Sequence, residues 1–418
     1  MKSIFTIIIV IFLILFCLEN IIFFIKTEEL AYLIKSFKFS LKTTGIKNTI
    51  KLSINTIVNI AKKIIKQPFL NKKVNTNNKL AILISGGYGD YLVIANWLEY
   101  MKKKVFQAED KIDVFYKSKS ALTIFQENEP NIKFYPTDEY CSELYSATIF
   151  ISSFPFLKNG KELMIKKFSP TLKNYLKKLK EFSLENKLEC DLHPRLDSLM
   201  SAKAMIAGQK RLQEPDIYNL LNISEDYIYN LPIYEDEDKY LNNLKIKKKK
   251  YILIHRGWDS HNGESFHVKA WSLKSCFDLI PQIKQNYPDY KIILIGASRQ
   301  QLPLSDNNAD INLIEKTSIE QVKVLLKYAA VLIDNEGGMV HLRHAVHGGP
   351  SIVLFGATSP DLFGYSENIN LTSNVCKHWC EWINNDWTSY CLKSRKKEAL
   401  CMEAITTKDV INALKKII

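Results

Sequence analysis

The chain has 418 residues, 46% of them hydrophobic and 24% charged, which is enough for two domains with separate cores and too apolar for a disordered chain. Its formal net charge is +13, but eleven lysines and no acidic residue fall between Leu30 and Lys79, so the remainder is almost neutral. That distribution excludes a nucleic-acid enzyme with basic patches spread through its domains, and no nucleic-acid partner is expected.

The basic segment follows an apolar start. Ile4 to Leu18 is nearly all Ile, Phe, Leu and Val, and the run resumes after Glu19-Asn20 as far as Ile25. As one helix it would reach roughly 33 Å, against about 30 Å for a hydrocarbon core. Phe16-Cys17-Leu18-Glu19-Asn20 lacks the small residues of a signal-peptidase site, so residues 1–29 are expected to be a retained transmembrane anchor. The lysine excess behind it predicts a cytoplasmic body. Residues 30–78 form a basic amphipathic juxtamembrane segment and linker, suited to an anionic leaflet; a solvated spacer is the other reading.

Leu80 to Ser85 reads as a buried parallel strand, closed by Gly86-Gly87-Tyr88-Gly89-Asp90 and followed by a helix through Lys104. Residues 113–116, 132–135 and 147–151 read as further strands, and the lysine-rich stretch from Lys158 to Lys187 as helical. A charged connection, 236–250, separates an N-terminal domain over 79–235 from a C-terminal domain over 251–418. The second series runs strand 251–254, helix 272–286, strand 291–296, helix 319–328, strand 331–334, a helix opening at His341, and strand 351–356. Two alternating series predict an α/β fold of two facing, doubly wound Rossmann-like domains, with ligands beyond the carboxyl ends of the strands.

Three turns carry candidate chemistry. Gly86-Gly87-Tyr88-Gly89-Asp90 has Leu92 where a dinucleotide fingerprint needs its third glycine, and no Walker sequence occurs. Gly87 and Gly89 let a backbone approach the acceptor, and Asp90 either faces the cleft or caps the next helix. Asn335-Glu336-Gly337-Gly338 lies between a strand and a helix, so Gly337 and Gly338 amides at a positive helix end suit a diphosphate, and His341 can donate to a phosphate or sugar hydroxyl. His344 and His347 follow at helical spacing and read as packing or surface residues. After the strand ending at Ile254 come Arg256 and, past a loop, Lys269, two cations fit to neutralise a leaving phosphate. Asp236-Glu237-Asp238, the only run near the Asp-x-Asp of metal-bridged transferases, lies in the charged connection, so metal-independent chemistry is expected.

Cys376, Cys380, Cys391 and Cys401 read C-x3-C-x10-C-x9-C, interleaved with Trp379, Trp382 and Trp387. Four thiolates at this spacing can hold structural Zn²⁺ or Fe; reduced packing cysteines are the alternative. Either way the cluster is expected to be remote from the reaction.

Taken in order, Tyr88-Gly89-Asp90, Lys269-Ala270-Trp271, Glu336-Gly337-Gly338-Met339-Val340-His341 and Phe355-Gly356-Ala357-Thr358 resemble the motifs of glycosyltransferase family 9, the heptosyltransferase-like enzymes of GT-B fold. The family's Asp and Ser/Thr stand here as Glu336 and Gly337. The resemblance implies a bacterial inner-membrane enzyme. Its donor would be a nucleotide sugar, ADP-heptose favoured, and its acceptor a glycan or lipid-linked acceptor such as lipopolysaccharide core. Asp90 would be the general base, with Arg256, Lys269, Glu336, Gly337, Gly338, His341 and Thr358 on the donor. Some protein-heptosylating relatives carry a four-cysteine iron finger that the C-terminal pattern resembles. A protein acceptor, or a degenerate glycan-binding or assembly subunit, stays open beside the envelope-glycan reading.

Overall fold

The computed structural model describes residues 78–125, 130–151, 154–160, 167–185, 229–255, 268–296, 309–376, 379–380 and 390–418. The anchor, the juxtamembrane segment and Arg256 lie outside the described residues. Among the described residues no helix is long and apolar enough to cross a membrane. Thr76–Ile418 forms one compact unit.

The first sheet is built from β1 (Lys79–Ile84), β2 (Lys111–Tyr116), β3 (Ile132–Pro136), β4 (Ala147–Ile151) and β5 (Pro155–Gly160), in the order β3-β2-β1-β4-β5. Leu80, Ile82 and Ile84 alternate toward α1 (Tyr88–Lys104), whose Leu92, Ile94, Ala95, Trp97, Leu98 and Met101 complete that core. The first four strands are parallel, and β5 returns antiparallel to β4. This corrects the expected helix from Lys158: Pro155–Gly160 pairs as an edge strand, and the helix, α2, occupies Pro170–Glu185. Proline's fixed φ suits the first helical position, so Pro170 marks the start that the lysines concealed.

The charged connection also carries more structure than expected. Asp236 accepts the Lys239 amide (3.1 Å) and so caps α3 (Glu237–Asn243). Glu237 pairs with Lys327 (2.8 Å) and Asp238 with Lys248 (2.8 Å). The acidic run is therefore engaged in local structure.

The second sheet comprises β6 (Tyr251–His255), β7 (Lys291–Ile295), β8 (Ile311–Asn312), β9 (Val331–Asn335), β10 (Ser351–Leu354) and β11 (Ile369–Leu371). Its order is β11-β10-β9-β6-β7-β8, all parallel. Its inner strands are apolar throughout at their centres because helices cover both faces. The helices are α4 (Leu273–Asn286), α5 (Ile319–Tyr328), α6 (Gly338–Ala345), α7 (Pro360–Phe363), α8 (Leu400–Glu403) and α9 (Thr407–Leu414). In this Rossmann order the strand sequence reverses its course across the sheet between β6 and β9, and in the first sheet between β1 and β4. Those reversals open crevices at the carboxyl ends of the strands.

The chain between the two sheets is pinned to both. The Tyr229 amide donates to Asn96 Oδ1 on α1 (3.0 Å), the Leu231 amide to the Ala345 carbonyl on α6 (2.9 Å), and buried Lys323 Nζ to the Pro232 carbonyl (3.1 Å).

Candidate donor and acceptor site

Both glycine turns stand at those reversals, and they meet. Gly86 has φ +127°, a conformation that L side chains rarely adopt, and a Cβ there would lie 2.5 Å from Asp90 Cβ. This tight turn delivers Asp90 to the first turn of α1. Asp90 Oδ2 accepts the Gly87 amide at 2.9 Å, so the residue caps α1 while remaining half-buried. A Cβ on Gly89 would lie 2.5 Å from His341 Cδ2 and 3.2 Å from Gly338 Cα. The amino ends of α1 and α6 therefore touch through bare backbone, with Asp90 on one side and the Glu336 loop on the other.

The loop itself is built around a buried carboxylate. Glu336 is 7% exposed. It accepts from Lys269 Nζ (2.6 Å) and from Thr358 Oγ1 (3.1 Å), with His341 Nε2 3.7 Å away. Burial alone would raise its pKa; the Lys269 charge and the His341 ring outweigh that and hold the carboxyl well below the usual range. His341 is fixed from behind by Tyr365, whose hydroxyl lies 3.1 Å from Nδ1. His344 stacks on the Tyr365 ring at 3.7 Å and pairs with Glu367, in keeping with a packing role.

Lys269, Glu336, His341 and Thr358 are thus drawn together in the C-terminal domain beside Gly337 and Gly338, and Gly89 meets them at Gly338 and His341, while the Asp90 carboxylate turns back to the Gly87 amide. The supporting groups were less visible in the sequence. Asn335 Oδ1 accepts the Trp271 amide (3.0 Å), and Trp271 Nε1 donates to the Ile405 carbonyl (2.8 Å), so Lys269 sits on a braced segment. His255 Nδ1 lies 2.9 Å from both oxygens of Asp334, tying β6 to β9 at the reversal. Burial pushes the Asp334 carboxyl up, against the pull of that histidine. The one available signal was position: His255 and Asp334 each end an apolar strand.

The four cysteines also converge. Together with Val268, Ala357, Leu392, Lys393 and Ala399 they line a cavity of about 270 Å³. Burial would push the Cys391 thiol up, but the Ser394 hydroxyl and nearby backbone amides bring it below its ordinary value. Burial and the neighbouring thiols push Cys401 up to about 12. Four soft donors around one cavity suit a thiolate metal site, yet among the described residues no three His, Cys, Asp or Glu side chains stand close enough to form one. The cluster is not remote from the candidate chemistry: Val268 and Ala357 in its wall directly precede Lys269 and Thr358, and the Cys380 amide donates to the Ala357 carbonyl (3.0 Å). That corrects the expectation of distance, because the chain folds its end back under the donor loop.

Residues 218–386 match the family described as Glycosyltransferase family 9 (heptosyltransferase). Over 160 residues, 36% of the chain, it is 26% identical to Lipopolysaccharide heptosyltransferase 1 of Campylobacter coli, and the match spans 45% of that protein, less than half its length. The iron-containing dodecameric glycosyltransferase TibC from enterotoxigenic E. coli has a similar fold. It aligns with a TM-score of 0.51 and 14% identity over 81% of this chain and 76% of that one. The TibC complex with ADP-D-beta-D-heptose gives the same score and identity over 82% and 76%. The two Rossmann-like sheets give the chain the fold of these transferases, and it is residues 218–386, with the donor loop among them, that match glycosyltransferase family 9.

Proposed function

We propose that the chain is an inverting glycosyltransferase moving a heptose-like sugar from an ADP-heptose type donor to a cell-envelope glycan such as lipopolysaccharide core. The observation that carries this reading is the contact of the two glycine turns, in which Gly89, next to Asp90, meets Gly338 and His341. The names of the Campylobacter relative and of the TibC complex support the donor and the acceptor class. In the reaction, Asp90 takes the proton of an acceptor hydroxyl. That oxygen bonds to the anomeric carbon as the bond to the diphosphate breaks, with inversion. The departing charge meets Lys269, the opening amides of α6 and, from the sequence, Arg256. These positive groups are the protein's own, so the step is written without a divalent cation.

Asp90→Asn keeps an oxygen acceptor for the Gly87 amide and therefore the turn. Transfer is expected to fall at least about 10²-fold while donor affinity stays near wild type. Near-normal turnover in this variant, measured with radiolabelled donor, would remove Asp90 from the base role. A thermal-shift screen with ADP-, GDP- and UDP-sugars tests the donor class; no stabilisation by any of them would favour a glycan-binding subunit over an enzyme.

A protein acceptor is the second reading, favoured by the four-cysteine cavity and by the fold shared with an iron-containing transferase. Cys376, Cys380, Cys391 and Cys401 would have to draw closer together around that cavity to hold a structural Zn or Fe ion. Elemental analysis of purified protein checks this, and a metal content unchanged in a Cys376→Ser/Cys380→Ser variant would refute it. The apolar run Ile4–Ile25 and the lysines behind it support anchorage in the inner membrane with a cytoplasmic body. Recovery of the full-length chain in the soluble fraction after lysis would count against anchorage.

A further inference from the structure

The Lys269–Glu336 pair presents a physical conflict at a site meant for anions. The Lys269 ammonium already lies 2.6 Å from the Glu336 carboxylate. The lysine side chain is 18% exposed and the carboxylate side chain 6%. The same carboxylate takes the Thr358 hydroxyl (3.1 Å), leaves His341 Nε2 at 3.7 Å, and precedes the amino end of α6. Every one of these positive or donating groups is one that a diphosphate would use. Burial strengthens the attraction between lysine and carboxylate, and equally any repulsion between the carboxylate and an incoming anion.

We propose that Glu336 is a positioning residue that acts as an internal counter-anion: it holds Lys269 and Thr358 in place before the donor arrives and competes with a nucleoside diphosphate for them. Binding transfers Lys269 wholly or partly from carboxylate to diphosphate, and the carboxylate reclaims it when the product leaves. The residue thereby weakens affinity and favours release. Gly337 contributes by omission, since a Cβ there would meet nothing nearer than the Asn335 carbonyl at 3.9 Å; beside the carboxylate, the open position leaves room for the phosphates. This inference rests on the donor-site reading above.

The test is calorimetric titration of wild type, Glu336→Gln and Glu336→Asp with ADP, GDP, UDP and inorganic pyrophosphate. The Glu336→Gln amide keeps an acceptor for Thr358 but carries no charge, so pyrophosphate and the preferred nucleotide are expected to bind this variant about tenfold tighter than wild type. Glu336→Asp retains the charge and is expected to bind no tighter than wild type. A merely structural role predicts the opposite, weaker binding by Glu336→Gln together with a lower thermal midpoint. If wild type binds a nucleotide and Glu336→Gln binds it equally or more weakly, the counter-anion role falls while the donor site stands. Tightening in Glu336→Asp to match Glu336→Gln also overturns it. If none of the three proteins binds any of the nucleotides, the donor reading falls and the inference with it.

Discussion

A carboxylate as buried as Glu336 keeps its charge only because Lys269, Thr358 and His341 surround it. Removing the lysine leaves an uncompensated charge. Lys269→Met should therefore cost about 3–5 kcal/mol at neutral pH. The sign of the pH dependence follows from the depressed carboxyl. In wild type the pair's contribution is fully present above the unfolded glutamate value of about 4.3 and declines as pH falls below it. In Lys269→Met the carboxyl is buried without its main partner, so acid relieves a cost. Denaturant midpoints of the two proteins should converge between about pH 6 and pH 4; a constant gap would show that packing and not charge dominates. The residues of this cluster were legible as a set in the sequence, but the lysine's partner was not. Lys269 and Glu336 are 67 positions apart, and no local pattern links them.

At the scale of elements, the meeting of α1 and α6 depends on the absence of a side chain at one position. Gly89→Ala would drive a Cβ into the His341 ring at 2.5 Å and toward Gly338 Cα at 3.2 Å. Overpacking of this kind costs about 1–3 kcal/mol, and the thermal midpoint should fall accordingly, with donor-dependent stabilisation reduced. Gly338→Ala is the control: its Cβ would find Gly89 N at 3.5 Å and Tyr88 Cβ at 3.8 Å, ordinary contacts, so its midpoint should move much less. The placement of α6 behind that contact rests on Arg343, which is fully buried and donates to the carbonyls of Gly349, Leu326, Ala329 and Ala330. Burial lowers its pKa to about 10. Lys249 Nζ adds bonds to the Ala329 and Gly348 carbonyls (3.1 and 2.9 Å). Two cations thus satisfy the carbonyls at the end of α5, where the macrodipole favours them. Periodicity would place an arginine such as Arg343 on a solvated face; its burial follows from carbonyls supplied by other turns.

At the scale of the molecule, the cysteine cavity and the donor loop share a wall through Val268 and Ala357. Alkylating the half-buried Cys376 and Cys380 should therefore lower nucleotide-induced stabilisation as well as the basal thermal midpoint. If only the midpoint moved, the wall would not transmit the change. The four parallel strands of the first sheet, the four inner strands of the second and the glycine turns were determined by the sequence itself, because apolar runs of strand length and strand-to-helix glycines are local signals. Tertiary structure alone decided the rest. It returned β5 antiparallel along an edge, folded the C-terminal cysteines under Lys269 and Thr358, and closed Glu336 onto a lysine from another segment. Each of those outcomes depends on which distant groups share a buried space, and burial is what makes such pairings strong enough to matter.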